Sequence, residues 1–533
     1  MNVPARIAAT AAVAIVSMAL AAGTSAQTVP ADVCTSLTEQ RLPNATITVA
    51  QPVTSGSFTP PGGSNAIANL PPFCRVVGEI RPTSDSHILF EVWLPFEEWN
   101  GKFASVGNGG WAGSISFGDL AEKLRRHYAS ASTNTGHEAV SGQDMAKFAF
   151  DHPEQLIDFA YRAHHETTMK AKALVQTFYG RPPAHAYWFG CSSGGYEGLM
   201  EAQRFPADFD GIVAGAPANN FTRLMAGGLD ATLAVLKGQA SLLSPSALGL
   251  LYRRVIAMCD RADGVADGVL EDPRQCRFDP AGLKCAANAA PDTCLTAAQV
   301  EAARRIYRGP KDPTTGAQLY PGLAVGSEPF WPNRDPASPF PIPISYYKWL
   351  VFGDPHWDWR TFDFSKPAAY QALLEGERKF APILNATNPD LREFRRQGGK
   401  LIQYHGWSDQ LIAAQNSIDY YESVVSFFKA GQADRSSVLR HVQSFYRLFM
   451  VPGMAHCGGG PGPNLFDTQA ALEQWVERGI VPEQIVATHA INGVVDRSRP
   501  LCPYPKVAVY SGKGDTNEAA SFVCREPSMP PGR

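Results

Sequence analysis

Ser192 lies in Gly190-Cys191-Ser192-Ser193-Gly194-Gly195, a match to G-x-S-x-G that follows a β-rich run at 185–189 and precedes a helix-forming stretch near Tyr196. The glycines have a mechanical role there. A serine raised on a tight strand-to-helix turn sits in strained backbone, and bulky neighbours would collide with strand and helix. The chemistry this predicts is nucleophilic attack by the Ser192 hydroxyl. Without the flanking elements the same pentapeptide is an ordinary glycine-rich turn. Ser193 is the weaker alternative nucleophile, because the pattern centres on Ser192.

A hydroxyl near its solution pKa attacks poorly, so it needs a base within hydrogen-bond reach and an acid that orients the base. Behind such an elbow the partners follow in the order serine, acid, histidine. Asp409, in Tyr404-His405-Gly406-Trp407-Ser408-Asp409, and His456, in Val451-Pro452-Gly453-Met454-Ala455-His456-Cys457, each come after a β-like run, where strand-end loops would place them. The predicted catalytic residues are therefore Ser192, Asp409 and His456. The plainer readings are a helix N-cap for Asp409 and a loop hydrogen bond for His456, with His405 a less suitably placed rival base. For the oxyanion, the Ser193 amide is the expected first donor. The second comes from Gly107-Asn108-Gly109-Gly110-Trp111, with Gly110 preferred and Gly109 next, although this loop also reads as a plain turn.

A second constellation runs from Cys259 to Val269, with three carboxylates and two glycines in eleven residues. Carboxylates of Asp260, Asp263 and Asp267, with carbonyls of Val265 and Val269, offer the hard oxygen ligands that calcium takes. EF-hand spacing is not met, since Ala262 and Gly264 stand where that pattern needs acids or amides. The competing reading is a solvated acidic turn. Any ion here lies far along the chain from Ser192, so its expected role is structural.

These residues need elements to hold them. Short β-rich runs at 88–94, 102–106 and 184–189 alternate with helical stretches, notably 151–178, the pattern of a mostly parallel sheet covered by helices. From about 222 to 395 Cys, Pro, Trp and Asp become frequent and the alternation is lost. It resumes with a strand at 400–404, a helix at 416–428 and a strand at 446–451. The expected architecture is α/β: an α/β-hydrolase core at 27–221 and 396–533, interrupted by a lid at 222–395. Ile412, just past Asp409, is a plausible apolar wall of an acyl pocket.

Bulk properties narrow the partners. The 533 residues carry 47 basic and 50 acidic side chains, and no long single-sign run marks a nucleic-acid or anionic-lipid footprint. A small neutral partner is expected. Arg6 followed by an Ala-rich apolar stretch at 7–22 and then Gly23-Thr24-Ser25-Ala26 reads as a signal peptide spanning 1–26. The rival reading is a membrane anchor, for which the stretch is short. No later segment looks apolar enough to span a bilayer, so the mature chain is expected in the periplasm or outside the cell.

The ten cysteines all follow that leader, an even number suited to disulfides in an oxidising compartment. No C-x-x-C pair occurs, which removes support for a zinc ribbon or thioredoxin-like motif. Local spacing suggests Cys259 with Cys276, Cys285 with Cys294, and Cys502 with Cys524. Cys191 directly precedes Ser192 and Cys457 directly follows His456. If serine and histidine touch, these two sulfurs come close, and a bridge needs Cα atoms only about 4.4–6.8 Å apart. The alternative is two unrelated buried thiols.

Taken together, the Cys-Ser and His-Cys pairs, the run from Pro452 to Gly462, and Arg204-Phe205-Pro206 through Asp210-Gly211-Ile212-Val213-Ala214-Gly215-Ala216-Pro217 resemble the tannase and feruloyl esterase family, which also includes hydrolases of mono(2-hydroxyethyl) terephthalate. The resemblance covers nearly the whole mature chain. It implies the triad named above, an oxyanion hole from Gly110 and Ser193, structural calcium at the 260–269 loop, and bridges Cys34–Cys74 and Cys191–Cys457 beside the three local ones. It also implies hydrolysis of aromatic esters such as hydroxycinnamates and gallates, with substrate choice left to the lid. The lid aromatics Phe340, Tyr346, Tyr347, Trp349, Trp357 and Trp359 could stack on a phenyl ring or form the lid's own small core. A terephthalate monoester carries a carboxylate that an Arg would suit. None occurs between 340 and 359, which tilts the expectation toward phenolic esters. An acyltransferase on the same acyl-enzyme, and a secreted binding protein that keeps the frame without catalysis, are the other classes; the intact triad argues against the last.

Overall fold

The structure, a computed structural model, describes Met1 and residues 29–527 except 237, 288–289, 291–292, 333–334 and 430–433. The expected signal peptide lies outside the described residues, apart from Met1.

The core is a nine-stranded mixed sheet. In chain order its strands are β1 (Ala45–Val53), β2 (Phe73–Ile80), β3 (Ile88–Pro95), β4 (Lys102–Val106), β5 (Ala129–Thr133), β6 (His185–Cys191), β7 (Gly211–Gly215), β8 (Lys400–Gly406) and β9 (Tyr446–Val451). Across the sheet they run β1-β2-β3-β5-β4-β6-β7-β8-β9. The last six in that order are mutually parallel, whereas β1, β2 and β3 pair antiparallel with their neighbours. The parallel strands are short and largely buried; all five residues of β5 and of β7 are inaccessible, as expected where helices cover both faces. β1, β2, β5 and β7 were not read as strands from the sequence. β7 is Gly-Ile-Val-Ala-Gly and β5 is Ala-Ser-Ala-Ser-Thr, neither rich in large β-formers, and they are strands because both neighbours pair with them.

The helices used below are α1 (Phe117–Arg125), α2 (Ala163–Tyr179), α3 (Ser193–Arg204), α4 (Phe221–Leu236), α5 (Pro245–Cys259), α6 (Ala297–Arg308), α7 (Pro367–Leu384), α8 (Gln415–Phe428) and α9 (Thr468–Arg478). The stretch read as one helix over 151–178 is broken by a π-helical turn at Asp158–Arg162 before α2 begins. α3 packs on β6 and β7, so the helix that follows Ser192 lies against the middle of the sheet.

The insertion begins on α4 and ends before β8, and it contains α5, α6 and α7. Its aromatics mostly pack on one another: Tyr346, Tyr347, Trp349 and Trp359 are buried, and the Tyr347 ring lies 5.3 Å from Phe362 and 6.2 Å from Trp357. The lid is pinned to the core by Trp111 Nε1 donating to the Ile342 carbonyl (3.3 Å), by the Ala146 amide donating to Ser345 Oγ (2.7 Å), and by Lys348 on Asp144 (2.8 Å). One stretch corrects an expectation. Gln239–Asp263 is long and apolar enough, by length and composition, to cross a membrane. It contains α5, whose Leu251 and Val255 are packed inside the lid.

Candidate active site

Ser192 stands between β6 and α3 with φ 65° and ψ −119°, a region disfavoured for a side-chain-bearing residue. Its neighbours permit this only as glycines. A Cβ on Gly190 would lie 2.4 Å from the backbone of Gly194, and one on Gly195 would lie 2.2 Å from the Gly215 carbonyl oxygen. The elbow is then fixed by its own backbone: the Ser192 amide donates to the Gly215 carbonyl (2.9 Å), and the Ser192 carbonyl accepts from Tyr196 and Ala218 (3.1 Å each).

The loops after β8 and β9 bring the other two residues together. His456 Nδ1 and Asp409 Oδ2 are 2.8 Å apart. Asp409 is fully buried and its second oxygen, Oδ1, accepts from the amides of Leu411 (2.8 Å) and Ile412 (2.9 Å). Burial alone would raise its carboxyl. The charge of His456 and the hydrogen bonds from His405 and His456 overcome that and hold it well below the usual carboxylate range. The N-cap reading of Asp409 is partly realised in these amide bonds, yet the same side chain also carries the histidine. Ser192 and His456 line one cavity with Gly109 and Gly110, and the adjoining Cys191–Cys457 disulfide, Cα atoms 6.0 Å apart, ties the two loops.

His405, read from sequence as a rival base, is sealed in the core instead. Its Nε2 lies 3.1 Å from Asp409 Oδ2 and its Nδ1 lies 2.7 Å from Ser417 Oγ on α8. Ser417 Oγ accepts from Gln403 Nε2 (2.6 Å), and Gln403 Oε1 accepts from the Tyr446 hydroxyl. A hydrogen-bonded run therefore links Tyr446 through Gln403, Ser417 and His405 to Asp409, with His405 Nε2 also 3.0 Å from the Ile412 carbonyl. The pattern of an acid four residues after a histidine was visible; that both face inward from one strand end was not.

The loop after β4 faces the elbow. Gly110 has φ +58°, its carbonyl accepts from Ser193 Oγ (2.6 Å), and its amide makes no backbone hydrogen bond among the described residues. The Ser193 amide is the first in α3, where no intrahelical acceptor exists. Beside Ser192 opens an apolar pocket lined by Ala218, Phe221, Leu224, Met225, Phe340, Ile342 and Ile412 among others. Of the six lid aromatics singled out, Phe340 alone lines it; the other walls come from α4, the 340–343 segment and the 411–412 turn. On the other side a wider trough passes His456 toward Phe466, Asp467 and Gln469, where Lys123 Nζ sits 3.9 Å over the Phe189 ring and 2.7 Å from Gln469 Oε1.

All five bridges are present: Cys34–Cys74, Cys191–Cys457, Cys259–Cys276, Cys285–Cys294 and Cys502–Cys524. The acidic loop lies against the C-terminal strands Val507–Tyr510 and Phe522–Arg525, with Pro452, four residues before His456, lining the same small cavity. Asp263, Val265, Asp267 and Val269 line one small cavity together with Glu271, which the sequence reading passed over. Asp260 Oδ1 accepts from the amides of Asp267 (3.3 Å) and Gly268 (2.9 Å) and so braces the loop. Burial, reinforced by the neighbouring carboxylates, pushes Asp263 up to about 6 and Glu271 up to about 8. Arg499, bonded to Asp267, and Arg497, with Nη1 3.7 Å from the same carboxylate, supply part of the compensating charge. Carboxylates and carbonyls of this kind suit a hard dication, although among the described residues the carboxylates are not gathered into a three-residue ligand cluster and Arg497 and Arg499 line the same cavity.

An elbow serine on a parallel sheet, a histidine and a buried acid on the loops after β8 and β9, and a glycine loop opposite define a serine hydrolase of the α/β-hydrolase class. The chain belongs to the tannase and feruloyl esterase family, whose model matches residues 74–334 and 347–525, and it is a carboxylic ester hydrolase. It is 39% identical to an uncharacterized esterase of Xanthomonas campestris pv. campestris over 92% of this chain and 91% of that one. It is 34% identical to a probable feruloyl esterase B-2 of Aspergillus terreus, over 85% and 86%. The crystal structure of feruloyl esterase B from Aspergillus oryzae superposes with a TM-score of 0.84 at 30% identity, covering 93% of this chain and all of that one. Tannin acyl hydrolase from Aspergillus niger, at 24% identity and TM-score 0.75 over 93% and 95%, shares the fold.

Proposed function

We propose that the protein hydrolyses esters of aromatic carboxylic acids, of the hydroxycinnamate or gallate type, through an acyl-enzyme on Ser192. The observation that carries this reading is the apolar, aromatic-lined cavity opening directly at Ser192, with the His456–Asp409 pair beside it. With Nδ1 on Asp409, His456 has Nε2 left to take the Ser192 proton as the hydroxyl attacks the ester carbonyl. The amides of Ser193 and Gly110 receive the oxyanion, and His456 then protonates the departing alkoxide. Water, deprotonated by the same nitrogen, releases the aromatic acid and restores Ser192. The acyl ring occupies the apolar cavity and the alcohol lies in the polar trough.

The relatives named feruloyl esterase support the phenolic acids. No Arg or Lys lines the acyl cavity among the described residues, which favours phenolic esters over terephthalate monoesters carrying a free carboxylate. Steady-state hydrolysis of methyl ferulate, methyl gallate and mono(2-hydroxyethyl) terephthalate is the test. Cleavage of the first two is expected; no cleavage of any overturns the substrate class.

The same reading includes a calcium ion at the acidic loop, held by Asp260, Asp263 and Asp267 carboxylates and the carbonyls of Val265 and Val269. It would neutralise carboxylates of the loop and fasten the lid root to the C-terminal strands, with no part in the reaction. Five disulfides and the apolar, Ala-rich leader support secretion to the periplasm or beyond.

A further inference from the structure

Glu197 stands one residue more than a helical turn after Ser192 on α3 and is sealed from solvent. An ionised carboxylate at a helix–sheet interface is costly unless it is paired, and an apolar residue would pack there without that cost. Its partners explain its presence. Oε2 accepts from the backbone amide of Asn108 at 2.9 Å. Oε1 lies 3.2 Å from Nε2 of His164, a buried residue of α2, but the two make no hydrogen bond and both atoms are left without a hydrogen-bond partner among the described residues.

Asn108 is held at its other end too, since its carbonyl accepts from the Gly194 amide at 2.8 Å. The contact is close enough to demand glycine beside it: a Cβ on Gly107 would lie 2.4 Å from Gly194 Cα and 2.9 Å from Glu197 Oε2. Two residues on is Gly110, whose carbonyl is gripped by Ser193 Oγ. The loop carrying one oxyanion donor is thus fastened at several points to the helix carrying the other.

We propose that Glu197 is a positioning residue for the oxyanion hole: its side chain fixes the Asn108 amide and so sets the distance between the Gly110 and Ser193 donors. The inference rests on the reading of those two amides as the oxyanion hole. Donors aimed in advance at the developing charge act on the transition state more than on the bound substrate. Loosening the loop therefore lowers kcat and leaves KM nearly unchanged. What the position needs is an acceptor for one N–H, which a glutamine also provides.

The experiment compares Glu197→Gln, Glu197→Met and Glu197→Asp in the full mature enzyme, with p-nitrophenyl acetate as substrate and phenylboronic acid as a mimic of the tetrahedral adduct. Glu197→Met, which keeps length and removes the acceptor, is expected to lose on the order of 10- to 100-fold in kcat with KM within about twofold. Its affinity for the boronic acid should fall by a similar factor, while Glu197→Gln stays within a few-fold of the parent in both. If Glu197→Met does not fold, Glu197→Asp decides, because it withdraws the carboxylate by one methylene and is expected to lose kcat. A folded Met or Asp variant with parental kcat overturns the proposal, as does a loss confined to KM or a Gln variant as impaired as Met. If the parent neither turns over the acetate nor binds the boronic acid, it is the catalytic reading of the site that fails.

Discussion

His405 and His456 meet the same carboxylate oxygen of Asp409, at 3.1 and 2.8 Å, one from the buried side and one from the cavity. The acid is thereby oriented by a second histidine that never reaches the substrate. Replacing His405 with leucine removes one charge-assisted donor, worth about 1.5–3 kcal/mol. The expected consequence is a kcat roughly 10- to 100-fold lower with KM little changed, measured on any cleaved ester. An unaltered kcat in a folded variant would show that His456 and the Leu411 and Ile412 amides hold the acid without His405.

Ser192→Ala removes the nucleophile and is expected to reduce kcat by on the order of 10⁶-fold, with Asp409→Asn costing about 10⁴-fold. Circular dichroism and thermal melting should stay parental. Measurable turnover by the alanine variant, after contaminating esterase is excluded, would remove Ser192 from the mechanism.

Cys191 and Cys457, neighbours in the chain of Ser192 and His456, close a loop of 266 residues. Their joint replacement by serine is expected to lower stability by about 3–5 kcal/mol through the freed unfolded chain. It should also depress kcat, since a misplacement of about 1 Å can cost on the order of 100-fold. Calorimetry and kinetics read the two effects separately, and a variant parental in both would reduce the bridge to an incidental contact.

Two buried acids give stability opposite pH dependence. Asp409 is held below its ordinary range, so its contribution is complete above the unfolded carboxylate pKa and is lost as the medium is acidified toward its folded value. Glu328, buried and bonded to the Tyr307 hydroxyl (2.7 Å) and the Gly326 amide (2.8 Å), is pushed up from 4.5 to about 7, chiefly by burial. The folded state holds its proton more tightly than the unfolded one. Stability therefore declines as pH rises from about 4.5 to 7, by up to roughly 3 kcal/mol. Glu328→Gln should flatten that decline in denaturant titrations at pH 5 and 7; an unchanged slope assigns it to other groups.

Chelation tests the calcium reading. EDTA is expected to lower the melting temperature by several degrees and added calcium, rather than magnesium, to restore it. Asp263→Asn should abolish the difference. Insensitivity to chelator and to added calcium would leave the loop as an acidic turn braced by Arg499.

Much of the site was legible because its chemistry is local in sequence. The elbow needs glycines at fixed offsets from Ser192, strand-end loops announce Asp409 and His456, and the cysteines beside serine and histidine turn catalytic contact into a covalent expectation. Short spacing suggests three of the disulfides, and the structure contains them. What the tertiary structure decided is what depends on side chains from distant segments facing one another. β5 and β7 are strands only because their neighbours pair with them, and the lid aromatics turned inward onto each other, leaving Phe340 at the acyl cavity. His405 became a partner of the acid because β8 and α8 enclose it. Glu197, Glu271 and Arg499 drew no attention in sequence, since an isolated charged residue has no pattern. Each acquired a role when folding removed it from water and set partners from distant segments within reach.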